Sequence, residues 1–133
     1  GGWERVTASP PAGQYNYATK QWYYDPVIAM NQFRHNRRYR FESNGTYTFE
    51  LDGEDFNRKE RTYTWEGGAY SLNNGTLTLT PRDCRVGKGP AGQNPKLSPC
   101  AVPAASSIRV RFEGVALMFN ERDGSWSSYQ PLR

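Results

Sequence analysis

The chain has 133 residues, 36 % hydrophobic and 14 % aromatic, with 17 Lys plus Arg against 13 Asp plus Glu for a net charge of +4. A single domain of this length buries roughly two-thirds of its unfolded surface, and so many aromatics exclude a disordered tail. The longest apolar run, 115–119, is too short to cross a bilayer as a helix.

The opening Gly1-Gly2 reads as a processed start with no signal peptide visible. A first strand is expected over 3–7. Residues 8–36 then break the rhythm: they hold Pro10, Pro11 and Pro26 among Tyr15, Tyr17, Trp22, Tyr23, Tyr24 and Phe33. A weakly periodic stretch of that length inside a compact domain is often functional. Pro26 near a first helical position predicts one or two helical turns over 27–35.

Beyond it, period-two alternation and turn residues dominate, and hairpin registers follow from asking which loop length sets large side chains opposite one another. Around Ser43-Asn44-Gly45 a three-residue loop pairs Phe41 with Tyr47 and Tyr39 with Phe49, and puts Arg38 opposite Glu50 outside; Gly45 supplies the positive φ. Around Gly67-Gly68 a two-residue loop would pair Trp65 with Tyr70 and Tyr63 with Leu72. Asn74-Gly75 then makes a type I′ turn pairing Leu72 with Leu77 and Tyr70 with Leu79.

Between Arg82 and Ser107 comes a Pro/Gly-rich loop carrying Arg82, Arg85, Lys88 and Lys96 against Asp83 alone, so most of the chain's excess charge sits there rather than on a groove. Cys84 and Cys100 bracket this loop. A covalent tie between its ends stabilises by on the order of 3 kcal/mol and implies a periplasmic or extracellular location; two free cytosolic thiols are the alternative. Two cysteines and one histidine are too few for a metal site. A further hairpin is expected to pair Phe112 with Val115, Val110 with Leu117 and Ile108 with Phe119. The final strand, near 126–130, leaves open whether Trp126 or Tyr129 faces inward.

Successive hairpins with one polar and one aromatic face predict an all-β fold: an antiparallel up-and-down barrel of about eight or nine strands, with a two-sheet sandwich as competitor. No linker or repeat divides the chain, so residues 1–133 read as one domain. The pattern resembles the lipocalin-like, or calycin, barrels, including small secreted bacterial members. The residues that carry the resemblance are Gly1-Gly2-Trp3, the hairpin Phe41-Glu-Ser-Asn-Gly-Thr-Tyr47-Thr-Phe49 and the run from Tyr70 to Pro81. The resemblance implies a barrel whose interior takes an apolar ligand, a lid over its open end formed by 8–36, and an arginine (Arg109, Arg111 or Arg122) packed on Trp3. The cysteine-tied excursion departs from the pattern.

Two function classes follow. In the first, a non-enzymatic binding module holds a small apolar or amphipathic ligand at the barrel mouth. Tyr39, Tyr47, Tyr63 and Tyr70 give phenolic handles, Arg37 falls on the inward parity at a strand end, where it closes the mouth or meets an anionic head group, and Tyr15, Tyr17, Trp22, Tyr23 and Tyr24 either stack on the ligand or cap the barrel end. In the second, the barrel is filled by its own side chains and presents the 84–100 loop to a protein partner. The basic run Arg34-His-Asn-Arg-Arg-Tyr-Arg40 reads as a solvated strand face rather than a nucleic-acid site. Asp52-Gly-Glu-Asp-Phe-Asn57 reads as an acidic turn rather than a calcium loop. His35 belongs to no catalytic motif, and no enzyme activity or cofactor is expected. The Asn44-Gly-Thr46 and Asn74-Gly-Thr76 sequons are already explained as turns.

Overall fold

The computed structural model describes residues 1–8, 13–24 and 33–132. Among them there is no helix. Eleven strands follow in chain order: β1 (Gly2–Ala8), β2 (Gly13–Asn16), β3 (Gln21–Tyr24), β4 (Phe33–Phe41), β5 (Thr46–Asp55), β6 (Glu60–Asn73), β7 (Thr76–Pro90), β8 (Ser98–Pro99), β9 (Ser106–Glu113), β10 (Ala116–Asn120) and β11 (Trp126–Pro131). Taking β1, β4, β5, β6, β7, β9, β10 and β11 in turn, each pairs antiparallel with the next and β11 returns to β1, so the ring is closed. The expected up-and-down barrel is therefore present, with eight strands. β8 is an extra strand on the far half of β7, and β2 and β3 pair only with each other.

Two hairpins have the registers that burial demanded. Phe41 faces Tyr47, Tyr39 faces Phe49 and Arg38 faces Glu50. The turn between them is built by Gly45 at φ 84°, whose N–H donates to Glu42 O, and by Asn44 Oδ1, which accepts from Thr46 N and Oγ1. Leu72 faces Leu77 and Tyr70 faces Leu79 across Asn74 (φ 50°) and Gly75 (φ 78°). Positive φ at both central residues is the type I′ signature.

The Gly67-Gly68 hairpin does not exist. β6 runs straight through both glycines, and the β5–β6 turn lies at 56–59 instead. The pair marks a bulge: Gly67 faces Asp83 while Gly68 faces Pro81, leaving Arg82 as the extra residue of β7. Strand continuity then reverses the expected facing of Tyr63 and Trp65. They oppose Asp52 and Glu50, on the face that carries the Arg38 pair, and so point outward, while Glu66 points in.

The Arg82–Ser107 loop is also shorter than expected. β7 continues to Pro90 along β6, and Gly87 permits this because the returning chain lies against it: a Cβ there would meet Lys96 O at 2.8 Å. Cys84, buried on β7, is bonded to Cys100, whose N–H donates to Cys84 O at 3.0 Å. Reducing this bond is expected to lower stability by about 3 kcal/mol without opening the ring, because β6 holds β7 on both sides of Cys84. Denaturant unfolding with and without reductant measures the difference, and equal midpoints would refute it.

In the β9–β10 hairpin the loop is Gly114-Val115, so Leu117 faces Phe112 and Phe119 faces Val110; Val115 is exposed rather than paired with Phe112. On β11 it is Tyr129, 2 % exposed, that faces inward with Ser127. Trp126 lies outside under Arg111, whose guanidinium carbon is 4.2 Å from the ring centroid. The core is thus one cluster of Tyr47, Leu77, Leu79, Val110, Leu117, Phe119 and Tyr129, with Trp3, Tyr39, Phe41 and Phe49 packed against it. The first and last strands meet here too: Leu132 N–H donates to Gly2 O at 2.9 Å.

The expected helical turns over 27–35 are corrected at Phe33, Arg34 and His35, which belong to β4; residues 27–32 lie outside the described residues. Within 8–36 the described backbone is a hairpin, with Tyr15 opposite Trp22 and Gln14 opposite Tyr23.

Candidate functional site

Two cavities enter the barrel from opposite ends, separated by the core cluster. At the end away from the Asn44 and Asn74 turns, Tyr39, Ile108, Phe119 and Tyr129 wall a cavity of about 600 Å³ whose rim carries Arg37, Arg109, Glu121, Arg122, Ser106 and Ser107. Strand pairing explains why it is open. β9 stays with β7 for only four residue pairs, from Thr76↔Arg109 to Leu79↔Ser106, and β11 meets β1 only at Trp3 and Glu4. Beyond those pairs the wall parts. The gap beside β1 is bridged by a side chain, Arg5, whose Nη1 donates to Ser127 Oγ at 2.8 Å and lies 3.9 Å from Glu121 Oε1.

Aromatic packing fixes the floor. The Tyr39 ring lies tilted at 4.6 Å from Phe49 and 5.1 Å from Phe119 and edge-on at 5.6 Å from Tyr129, and Phe119 meets Tyr129 edge-on at 4.7 Å. Burial pushes the Tyr39 and Tyr129 phenols upward, Arg37 partly opposing this at both. Both hydroxyls are thus neutral donors at physiological pH, and Tyr129 shares the cavity lining with Arg37.

At the opposite end a cavity of about 300 Å³ is lined by Trp3, Phe41, Tyr70, Leu72, Leu77 and Phe112. Two of its polar side chains are already committed: Trp3 Nε1 donates to Val115 O at 3.2 Å and Tyr70 Oη to Glu42 O at 2.9 Å. Trp3 is flanked by the rings of Phe41 and Phe112, and the arginine nearest in kind, Arg111, is on Trp126 instead.

The residues expected to form one ligand site are therefore divided. Arg37 and Tyr39 share the mouth cavity, and Tyr70 lines the opposite one. Tyr47 lies between them, 1 % exposed, and its phenol donates to Glu66 Oε2; burial first, then this carboxylate, push its pKa up. Tyr63 is on the outer face beside Lys88 and Lys96, with its phenol also raised, chiefly by burial. Tyr17 is 84 % exposed. The side chains of Tyr15, Trp22, Tyr23 and Tyr24 lie outside the described residues, and so does the lid role assigned to them. Arg5, Tyr129 and Glu66 were missed as site residues. A signal for the first existed: Arg5 stands two positions after Trp3 and so shares its inward parity.

The other candidates have structural partners. Asp52 holds Arg61 through two hydrogen bonds of 2.9 and 2.8 Å, and Asp55 Oδ1 accepts from the N–H groups of Asn57 and Arg58 in the β5–β6 turn. Among the described residues no group of three His, Cys, Asp or Glu side chains is placed to hold a metal. His35 sits over Gly53 and against Phe33. No helix among the described residues is long and apolar enough to cross a membrane. No protein-family model matches the chain, and no curated protein matches it.

Proposed function

We propose that this domain is a non-enzymatic, lipocalin-like binding module that holds a small amphipathic ligand in the mouth cavity. The observation that carries this reading is the 600 Å³ opening, which has an aromatic floor of Tyr39, Phe119 and Tyr129 under a polar rim. That size and that division of apolar wall from convergent polar groups suit a small ligand. The buried Cys84–Cys100 bond favours a periplasmic or extracellular setting.

Saturable binding of an environment-sensitive apolar dye is expected, together with co-purified small molecule in native mass spectrometry. Ser106→Trp, at an exposed rim position on the inward parity of β9, fills the cavity and should abolish both. Dye binding that survives this substitution would place the ligand elsewhere, and no saturable binding at all would remove the reading.

A second reading, a protein-binding barrel that presents the disulfide-tied strap, is favoured by exposed Val86, Leu97 and Val102 beside Arg85 and Lys96. Strap substitutions that abolish partner binding while dye binding persists would select it.

A further inference from the structure

Resting on the reading of the mouth as a ligand site, we propose that it selects its ligand by an anionic head group, gripped by Arg5 and Arg37 with Arg109 and Arg122 at the rim. The starting point is register. Arg5 and Arg37 are direct cross-strand partners, and both belong to the inward face: Arg5 reaches buried Ser127, and Arg37 lines the cavity with Tyr39. Like charges directly opposite one another on one face of a sheet oppose folding. A sequence that places them there, two steps from an aromatic core, keeps them for a reason other than stability.

The local countercharge is small. Glu121 is the one carboxylate lining the cavity, and it lies 3.9 Å from Arg5. Among the described residues, Arg37, Arg109 and Arg122 have no carboxylate within 4 Å. On the outer face, Arg38, the neighbour of Arg37 on β4, is by contrast paired with Glu4 at 3.0 Å and Glu50 at 3.9 Å. Arg38 is thus neutralised on the outer face, whereas the mouth gathers Arg5, Arg37, Arg109 and Arg122 around the one carboxylate of its lining, Glu121. Guanidinium forks converging on a cavity suit carboxylate, sulfate or phosphate oxygens, since they supply charge and paired donors together. The Tyr129 hydroxyl, in the same cavity lining as Arg37, adds a neutral donor, and the ring floor takes the apolar remainder. The ligand class is thus a compact anion on an apolar tail.

The test titrates the intact domain with octanoate, octyl sulfate, octanol, octyltrimethylammonium and inorganic phosphate, each below micelle formation, by dye displacement. Octanoate and octyl sulfate should displace the dye at concentrations about 10- to 100-fold lower than octanol or the ammonium compound. Raising the salt should erode this preference. Arg37→Gln should cost octanoate about tenfold or more and leave octanol unchanged; Arg109→Gln, at a solvent-exposed rim position, should show the same direction if Arg37→Gln does not fold. Octanol binding as tightly as octanoate would overturn the head-group inference while leaving the ligand site standing. Phosphate alone displacing the dye as well as octanoate would overturn the amphiphile assignment. Displacement by none of the probes, with the dye itself insensitive to Ser106→Trp, would overturn both.

Discussion

Gly68→Ala is expected to lower the stability of the barrel by about 3 kcal/mol or more, a melting-temperature loss of roughly 10 °C, while Gly67→Ala next to it costs less than about 1 kcal/mol. The two glycines differ only in what a methyl group would strike. At Gly68 it would stand 2.1 Å from Thr80 O and 2.8 Å from Pro81 Cα, both backbone atoms of the partner strand. At Gly67 it would meet the far edge of the Trp65 indole at 2.6 Å, a side chain on the outer face that turns aside. Relief at Gly68 requires moving β7 away from β6, and with it the seam that carries the Cys84–Cys100 bond. Thermal melts of the two variants measured side by side decide the matter. If both melt like the parent, the close approach at the bulge is wrong.

Tyr47→Ala is expected to cost about 4 kcal/mol, close to the whole stability of a marginal domain. Tyr47 is the most deeply buried large side chain, and its ring joins Phe41 to the centre of the core. Deleting it leaves a void and removes the donor to the inward-pointing Glu66. Tyr47→Phe separates the two effects: the ring stays, and losing the hydroxyl alone costs about 1–3 kcal/mol, because a carboxylate oxygen loses its partner. Glu66→Gln in the Tyr47→Phe background recovers part of that loss if the carboxylate is the reason. Denaturant unfolding gives these differences. Equal stability of Tyr47→Phe and the parent would show that the pair contributes nothing. A pH consequence comes from the same burial. Tyr39, Tyr47 and Tyr129 are all raised above the ordinary 10.0, so their contribution to folding is complete below pH 10 and falls as the pH rises beyond it, where the unfolded chain ionises first.

Much of this architecture can be read from residue order, and the misreadings have identifiable causes. Asn44-Gly45 and Asn74-Gly75 each admitted one loop length once Phe41, Tyr47, Leu72 and Leu77 had to be buried, and both registers are present. Gly67-Gly68 is different, because a glycine pair serves equally as a two-residue turn or as a place where two backbones press together. Neither glycine has a positive φ, so what the chain required there was the missing Cβ, and this does not show in a pattern of polar and apolar residues. That one choice turned Tyr63 and Trp65 to the wrong face. At Phe112 the interior face was right but the partner was off, since moving the loop from Glu113-Gly114 to Gly114-Val115 preserves parity. In the mouth, Arg37 and Tyr39 were legible from alternation along β4. Arg109 on β9 and Arg122 in the β10–β11 turn come to the same cavity from far along the chain, and only closure of the ring brings them there.

The hydrogen bonding of β1 to β11 makes the order of assembly one-sided. Every other seam of the ring joins segments from the same stretch of polypeptide or from one excursion apart, so each can form as the chain is synthesised. The seam between β1 and β11 must wait for residues 126–131. Until they arrive, the first strand offers one bare edge to any extended peptide nearby, and premature truncation exposes that edge permanently.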